Sequence, residues 1–254
     1  LTLYRCLTLN LLIFDQLSYL LLCLLVDAVF YRNRLVGTHS SFLDLAAIDE
    51  QRCGNTKLPQ NGVNVAVWRH RLAYQAMFST FDPAASSPQA LELGLGALTL
   101  PYAIDSIRLE KGGVPAKVRI GWLRSVCAIF QSFGINVFTD EIAHARGMDP
   151  LENLLDLLGP DRSIDLTAFG MENNEGHPFE TSRLRGVIEL AAAKAGWGRE
   201  LPEGHGLGIA AQYSFDSYAA SVVEVAVAPD GSWSVPRTVM TVDCGQVVNL
   251  DRAV

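Results

Sequence analysis

The stretch that decides the fold is Gly121-Trp-Leu-Arg-Ser-Val-Cys127, followed eight residues later by Asn136-Val-Phe-Thr-Asp-Glu-Ile-Ala-His-Ala-Arg-Gly147. The first part places an arginine in a polar, turn-like setting. In the second part Phe138 and Ile142 recur at the spacing of an amphipathic helix, and Gly147 is a typical C-cap. The sequence therefore predicts an arginine-containing turn followed by a helix that ends at Gly147.

Two further helices are predicted downstream by their end signals. Asp149-Pro-Leu-Glu152 offers an N-cap Asp, a Pro at the first helical position and a Glu three residues on, which is capping-box spacing. This helix is expected to run to Leu158 and stop at Gly159-Pro160. The third helix runs from Thr181 to Ala195 and is closed by Gly196. Its predicted buried face contains Leu184, Val187, Ile188 and Ala191.

The remaining patterned segments predict strands. Val63, Val65 and Val67 alternate with Asn64, Ala66 and Trp68, which indicates a half-buried strand that continues to Arg71. Residues 101–120 contain prolines and paired glycines and are expected to form short extended pieces and turns. Further strands are predicted at 206–215, 221–228 and 232–242, the last two joined by the turn Pro229-Asp230-Gly231. Together the elements predict an α+β fold with a mixed sheet and helices.

Composition limits the classes of function. The 254 residues are 49% hydrophobic and 19% charged, which is enough apolar material for a large core. A net charge of -7 argues against a nucleic-acid partner, because phosphate binding depends on a surplus of Lys and Arg. The five cysteines never form a C-x-x-C pair, so zinc and iron-sulfur sites lack their usual ligand spacing. We expect buried or idle thiols and no metal ligand set in this chain.

The N-terminal segment differs from the rest. Residues 1–30 contain twelve leucines and three charges, Arg5, Asp15 and Asp27. Leu7 to Phe30 is long enough to span a bilayer, but a mid-membrane Asp costs about 3 kcal/mol on insertion scales. Residues 1–58 are therefore either a membrane or signal segment, or a stretch unrelated to the fold that follows. The main domain is predicted to span residues 62–254.

Several tempting motifs do not support a catalytic or nucleotide-binding site. Gly204-His-Gly-Leu-Gly208 resembles a phosphate loop, but Pro202 precedes it and a predicted strand follows, whereas a dinucleotide fingerprint needs a strand before and a helix after. Asp140 and Glu141 are adjacent, so they point to different helix faces and are not expected to share a proton. No G-x-S-x-G nucleophile elbow is present.

From Gly62 to Val254 the sequence resembles the molybdopterin-binding large subunit of the xanthine dehydrogenase and aldehyde oxidase superfamily, with the beta chain of isoquinoline 1-oxidoreductase as the nearest branch. The resemblance rests on the order and spacing of several runs rather than on any single one. These runs are Trp122-Leu-Arg-Ser-Val126, Phe138-Thr-Asp-Glu-Ile-Ala-His144, Asp149-Pro-Leu-Glu152, Leu155-Asp-Leu-Leu-Gly159, Ala195-Gly-Trp-Gly198, Gly206-Leu-Gly-Ile-Ala210 and Val242-Asp-Cys-Gly245.

The resemblance implies a redox enzyme that holds molybdenum through a pterin cofactor. Such an enzyme oxidises a small aldehyde or an aromatic N-heterocycle and passes electrons to an iron-sulfur partner subunit. The cofactor-binding residues implied here are Trp122, Leu123, Arg124 and Ser125. The alternative interpretation is that Arg124 is an ordinary surface ion-pair residue ahead of the helix and binds no cofactor.

The sequence also departs from the family pattern. Leu250 stands where a Pro is usual, Gln131 and Gln212 stand where close relatives often carry His, and Ala128 replaces a frequent Asn. The upstream glycine-rich cofactor loop and the downstream proton-accepting Glu have no counterpart, so no catalytic residue is assigned. We expect a domain incomplete at both ends and an isolated chain that is inactive, in the cytoplasm or the periplasm. The alternative is a noncatalytic remnant or interaction module with a membrane-facing apolar N-terminus.

Overall fold

A computed structural model describes residues 64–115, 120–169, 171–174 and 176–249. The predicted apolar segment 1–58 lies outside the described residues, as does Leu250. Among the described residues no helix combines the length and apolar character needed to cross a membrane.

The described residues form seven strands and four α-helices. The strands are Val67–Tyr74 (β1), Ser106–Gly113 (β2), Ser163–Ile164 (β3), Phe179–Glu180 (β4), His205–Ser214 (β5), Ser217–Val227 (β6) and Trp233–Asp243 (β7). The α-helices are Ala90–Gly94 (α1), Ala128–Arg146 (α2), Pro150–Leu158 (α3) and Thr181–Ala195 (α4). Two 3-10 turns lie at Met77–Thr80 and Leu166–Phe169.

Parallel and antiparallel pairings lie in different sheets of the described chain. β5, β6 and β7 form an antiparallel meander with β6 in the centre, and β6 is buried over most of its length. β1 and β2 pair in parallel, and β3 pairs with β4 in a short antiparallel ladder. The predicted hairpin between 221–228 and 232–242 is confirmed, and Asp230 Oδ1 accepts a hydrogen bond from the Ser232 amide at 2.9 Å.

The core forms where helices α2, α3 and α4 meet the meander. α4 packs against all three of its strands, and α2 contacts β5 and α3. Trp68 links β1 to this core, because its ring meets Tyr102 and Phe138 edge-to-face at 5.5 and 5.0 Å between centroids. Buried aromatic contacts of this kind contribute about 0.5–1.5 kcal/mol beyond their area.

The predicted helix ends are confirmed. Asp149 Oδ1 accepts from the amides of Leu151 at 2.9 Å and Glu152 at 3.2 Å, so it caps α3 as expected. Gly147 and Gly196 end α2 and α4 with φ of 63° and 69°, a backbone region that suits glycine. The predicted buried face of α4 is confirmed as well. It consists of Leu184, Val187, Ile188 and Ala191.

A buried guanidinium joins α2 to α3. The side chain of Arg146 is 2% exposed and donates to Asn153 at 2.7 Å and to Asp156 at 2.6 Å. Asn153 Nδ2 in turn donates to the carbonyl of Thr139 at 2.9 Å. Because the polar groups of this network satisfy one another, the two helices are held at a fixed angle.

The structure corrects the predicted strands of the first half. β1 begins at Val67, which is half-buried, and its fully buried residues are Trp68 and His70, which are 0% and 3% exposed. The predicted strand start at Val63 lies outside the described residues. The region 101–120 contains an eight-residue strand, β2, where short pieces were expected. The physical reason is tertiary: β2 is supported along its whole length by parallel pairing with β1.

The cap at Asp149 generates the first prediction. Asp149→Ala should lower the free energy of unfolding by about 1 kcal/mol, since two amides at the start of α3 lose their acceptor. The change also removes the acceptor of the Trp197 Nε1 hydrogen bond at 3.0 Å. Asp149→Asn keeps an acceptor oxygen and serves as the control in urea denaturation. An unchanged midpoint for the alanine variant would show that the cap does not stabilise the fold.

The buried His70 generates a pH-dependent prediction. Burial lowers the pKa of His70 from 6.5 to about 4, so the folded protein keeps the imidazole neutral while the unfolded chain binds a proton below pH 6.5. The contribution of the neutral His70 to the free energy of unfolding is therefore fully present above pH 6.5 and is lost as the pH falls toward 4. The loss from this group should reach about 2 kcal/mol by pH 5.

The measurement is urea unfolding between pH 7.5 and 5. His70→Leu should flatten the pH dependence in this window, whereas a substitution of the exposed His177 by Asn should leave it in place. Parallel pH profiles for the wild type and His70→Leu would contradict the burial argument.

Candidate functional site

The predicted cofactor-binding residues form one turn ahead of α2, and their side chains point to two sides. Trp122 and Leu123 are 37% and 68% exposed, and Arg124 is exposed as well. Ser125 is 1% exposed and faces the interior. The structure therefore keeps the four residues together but presents only the first three to a ligand.

The ring of Trp122 is held in place by the segment that follows β1. It meets Phe78 edge-to-face at 5.3 Å and Phe81 at 5.6 Å between centroids. Its Nε1 donates to Thr80 Oγ1 at 3.1 Å. These contacts hold the exposed indole in one orientation, two residues before Arg124 in the chain.

The backbone of the turn is strained. Ser125 and Val126 have φ of 63° and 50°, and each left-handed L-residue costs about 1–2 kcal/mol. The hydroxyl of Ser125 is buried without a hydrogen-bond partner. Strain of this kind persists only where the surroundings enforce it and is concentrated at functional sites. Sequence reasoning missed it because neither residue is a glycine.

Two buried sulfur atoms, those of Cys127 and Met77, lie next to the turn. The Cys127 thiol is 3.2 Å from Met77 Sδ and 4.0 Å from the Tyr74 hydroxyl. Burial raises the pKa of Cys127 to about 12, so the thiol stays protonated at neutral pH. Cys127 is therefore a packing residue and not a nucleophile, as expected for a buried, idle thiol.

The buried residue Glu92 connects three segments near Met77 through its carboxylate and its backbone carbonyl. It is 0% exposed and accepts from the amides of Met77 at 2.8 Å and Gln89 at 3.1 Å. The Glu92 carbonyl accepts from Gln131 Nε2 at 3.1 Å. Glu92 thus ties α1 to the Met77–Thr80 turn and to α2. The spacing of Gln89 and Glu92 is that of a capping box, which is the sequence signal that could have revealed it.

The two glutamines that depart from the family pattern lie close to one small interior pocket. Gln212 lines it together with Thr99, Tyr213 and Gly96. Gln131 packs against Gly96 from α2, where a Cβ would come within 2.9 Å of the Gln131 Cβ. Gly96 has φ of 127°, so both its backbone and its space require glycine. Ala128 is buried on the same helix, α2.

The other motifs weighed in the sequence lie outside this site. Gly206 and Gly208 lie within strand β5, which confirms that the glycine pattern is not followed by a helix. Asp140 is half-buried and Glu141 is exposed, and desolvation raises the pKa of both carboxyls. Within the described ranges no group of three or more His, Cys, Asp or Glu side chains could hold a metal ion.

The arrangement suits one side of an anionic, planar ligand. Arg124 supplies donors whose fork matches phosphate or metal-bound oxygen atoms, and Trp122 and Leu123 supply an apolar surface next to it. The hydroxyl of Ser125 does not reach this side, because it is buried. An exposed guanidinium next to exposed apolar residues is chemically compatible with the anionic and ring parts of a pterin group, and Ser125 is buried within the turn.

The strained turn generates a prediction about stability. Ser125→Gly should raise the free energy of unfolding by about 1 kcal/mol, since it relieves the left-handed strain and removes a buried unpaired hydroxyl, offset in part by the flexibility of glycine in the unfolded chain. Ser125→Ala removes the hydroxyl but keeps the strain, so it should stabilise less. Denaturation midpoints compare the two. A glycine variant less stable than the alanine variant would contradict the strain argument.

Two curated proteins are similar to part of this chain. A nicotinate dehydrogenase subunit of Pseudomonas putida is 30% identical over 167 residues, which is 64% of this chain and 13% of that protein. The membrane-bound aldehyde dehydrogenase (pyrroloquinoline-quinone) of Gluconacetobacter polyoxogenes is 29% identical over 145 residues, 53% of this chain and 18% of that protein. No family model and no solved structure matches the chain. The chain thus spans less than a fifth of either relative, and it is similar to a segment of two dehydrogenases.

Proposed function

We propose that this chain is part of a molybdopterin-dependent oxidoreductase of the xanthine dehydrogenase and aldehyde oxidase type, near the isoquinoline 1-oxidoreductase branch. Its substrate class is a small aldehyde or an aromatic N-heterocycle, and its electrons pass to an iron-sulfur partner. The observation that carries the proposal is the pair of relatives: one is named for nicotinate, an N-heterocycle, and the other for an aldehyde, and both match more than half of this chain.

The cofactor is the second part of the proposal. The ordered sequence runs around Arg124 favour molybdenum-molybdopterin, which when bound supplies the two-electron oxidation. The name of the aldehyde dehydrogenase gives pyrroloquinoline quinone instead. The two cofactors differ in metal content and in chromophore, so a direct analysis of the bound group distinguishes them.

In this proposal the chain supplies one wall of the cofactor site. The guanidinium of Arg124 binds an anionic group of the cofactor, and the indole of Trp122 limits water on that side. Arg124 lies on the exposed side of a turn whose next two residues, Ser125 and Val126, have left-handed backbone. The buried Glu92 connects α1 to the Met77–Thr80 turn. These residues bind and orient, and the group that accepts a proton is assigned to a different part of the enzyme.

The isolated chain should therefore hold the cofactor poorly. We expect the purified 254-residue chain to contain substoichiometric molybdenum and pterin and to oxidise neither aldehydes nor N-heterocycles, because a single wall leaves the ligand open to water. Metal analysis, pterin fluorescence and a dye-reduction assay measure this. Stoichiometric molybdenum with turnover would show that the active site is complete within this chain and has been misplaced.

A chimera tests the proposed site in a whole enzyme. The 167-residue segment of this chain that is similar to the Pseudomonas putida protein replaces its counterpart there. The parent sets the reference for molybdenum, pterin and nicotinate oxidation. Arg124→Ala in the chimera should lower cofactor retention about tenfold or more, since a charge-assisted hydrogen bond contributes about 1.5–3 kcal/mol. Arg124→Lys should lose less.

Arg185→Ala is the matched control. Arg185 lies on α4, away from the turn at Arg124, and its guanidinium pairs with Asp161 at 2.9 Å. Circular dichroism shows whether each chimera folds. A folded chimera that retains pyrroloquinoline quinone would overturn the proposed cofactor. A chimera in which Arg124→Ala retains as much cofactor as Arg185→Ala would overturn the proposed site.

A further inference from the structure

We propose that the outward face of the β1–β2 pair binds a soluble phosphate monoester through Arg69 and Arg108. We call the four residues Arg69, Arg71, Arg108 and Glu110 the arginine face. The arginine face lies on β1 and β2, whereas Arg124 lies in the turn before α2. The inference therefore does not depend on the proposed function.

The pairing of the strands creates the arginine face. The parallel register sets Arg69 opposite Arg108 and Arg71 opposite Glu110. Because side chains alternate along a strand, the burial of Trp68 and His70 on the inner side turns both β1 arginines outward. The register thus places three guanidinium groups and one carboxylate on the same surface.

One carboxylate, that of Glu110, forms ion pairs with all three arginines. Glu110 Oε1 lies 3.1 Å from Arg69 Nη2 and 2.6 Å from Arg108 Nε, and Oε2 lies 2.6 Å from Arg71 Nε. The hydrogen bond from Arg71 is the main cause that lowers the pKa of Glu110, so this residue stays anionic at neutral pH. Its single negative charge cannot neutralise the arginines around it.

The excess of positive charge rests on two residues. Arg71 has a further contact of its own, which leaves Arg69 and Arg108 as the anion-binding pair. Among the described residues, the carboxylate paired with these two guanidiniums is the one that they share, that of Glu110. The Arg108 side chain is 69% exposed, and Arg69 Nε is buried without a hydrogen-bond partner. An unpaired buried donor costs free energy, which favours its turning toward an added anion.

The chemistry of the two donors favours phosphate. Guanidinium groups bind phosphate oxygens in pairs, with geometric specificity that an ammonium group lacks. A phosphate monoester carries about 1.5 to 2 negative charges at neutral pH and three acceptor oxygens, so it can engage both arginines at once. A monocarboxylate has less charge and fewer acceptors.

Calorimetric titration of the full chain with phenyl phosphate tests the inference, with inorganic phosphate as a second probe and chloride at equal ionic strength as the blank. Arg69→Gln and Arg108→Gln should each weaken binding about tenfold, the loss of one charge-assisted interaction. Arg69→Lys and Arg108→Lys keep the charge but lose the fork, and should weaken binding less. Arg185→Gln is the control and should bind as the wild type does.

Three results would overturn the inference. The first is an absence of binding to both phosphate probes in a wild-type chain that unfolds cooperatively. The second is equal binding by the wild type and by glutamine variants whose circular dichroism is unchanged. The third is a preference for a different ligand. The protein would either bind benzoate as tightly as phenyl phosphate, or sediment with phosphatidic acid vesicles without binding soluble phosphate.

Discussion

The placement of the candidate site depends on one side-chain amide. Asn136, buried in the middle of α2, donates to the Ala211 carbonyl at 3.2 Å and accepts from the Ala211 amide at 3.0 Å. It therefore pairs with the edge of β5 as another strand would. Because backbone groups at a sheet edge need a partner when they are removed from water, the contact fixes both the position and the rotation of α2. The turn at Arg124 is attached to the start of α2, so its position relative to the meander follows from this pair.

Local signals explain what could be predicted from the sequence. α3 begins after Asp149 and ends at Gly159, and α4 ends at Gly196, because caps and C-terminal glycines act on neighbouring backbone groups. The β6–β7 hairpin is also predictable from the sequence, since its turn residues determine how the two strands connect. For the candidate turn, the sequence indicated which residues are adjacent but not the direction of their side chains.

The missed features depend on residues far apart in the chain. The buried face of β1 is set by Tyr102 and Phe138, which no periodicity in β1 can reveal. The arginine face exists only because β1 and β2 pair in one register. The left-handed backbone at Ser125 and Val126 is imposed by the packing beneath it, and residue type gives no warning of it.

The parallel pairing of β1 and β2 also affects the order of folding. The meander joins neighbouring strands through short turns, so its contacts form early, whereas partners such as Arg71 and Glu110 lie 39 positions apart and must wait for a long loop to close. Until then β1 presents an open edge, which is where unfinished chains associate. Arg69 and Arg71 give that edge like charges in every copy, so the nascent strands of different molecules repel one another. Of the two residues that we assign to anion binding in the folded protein, Arg69 thus also places a repelling charge on the open edge of β1 while the chain is incomplete.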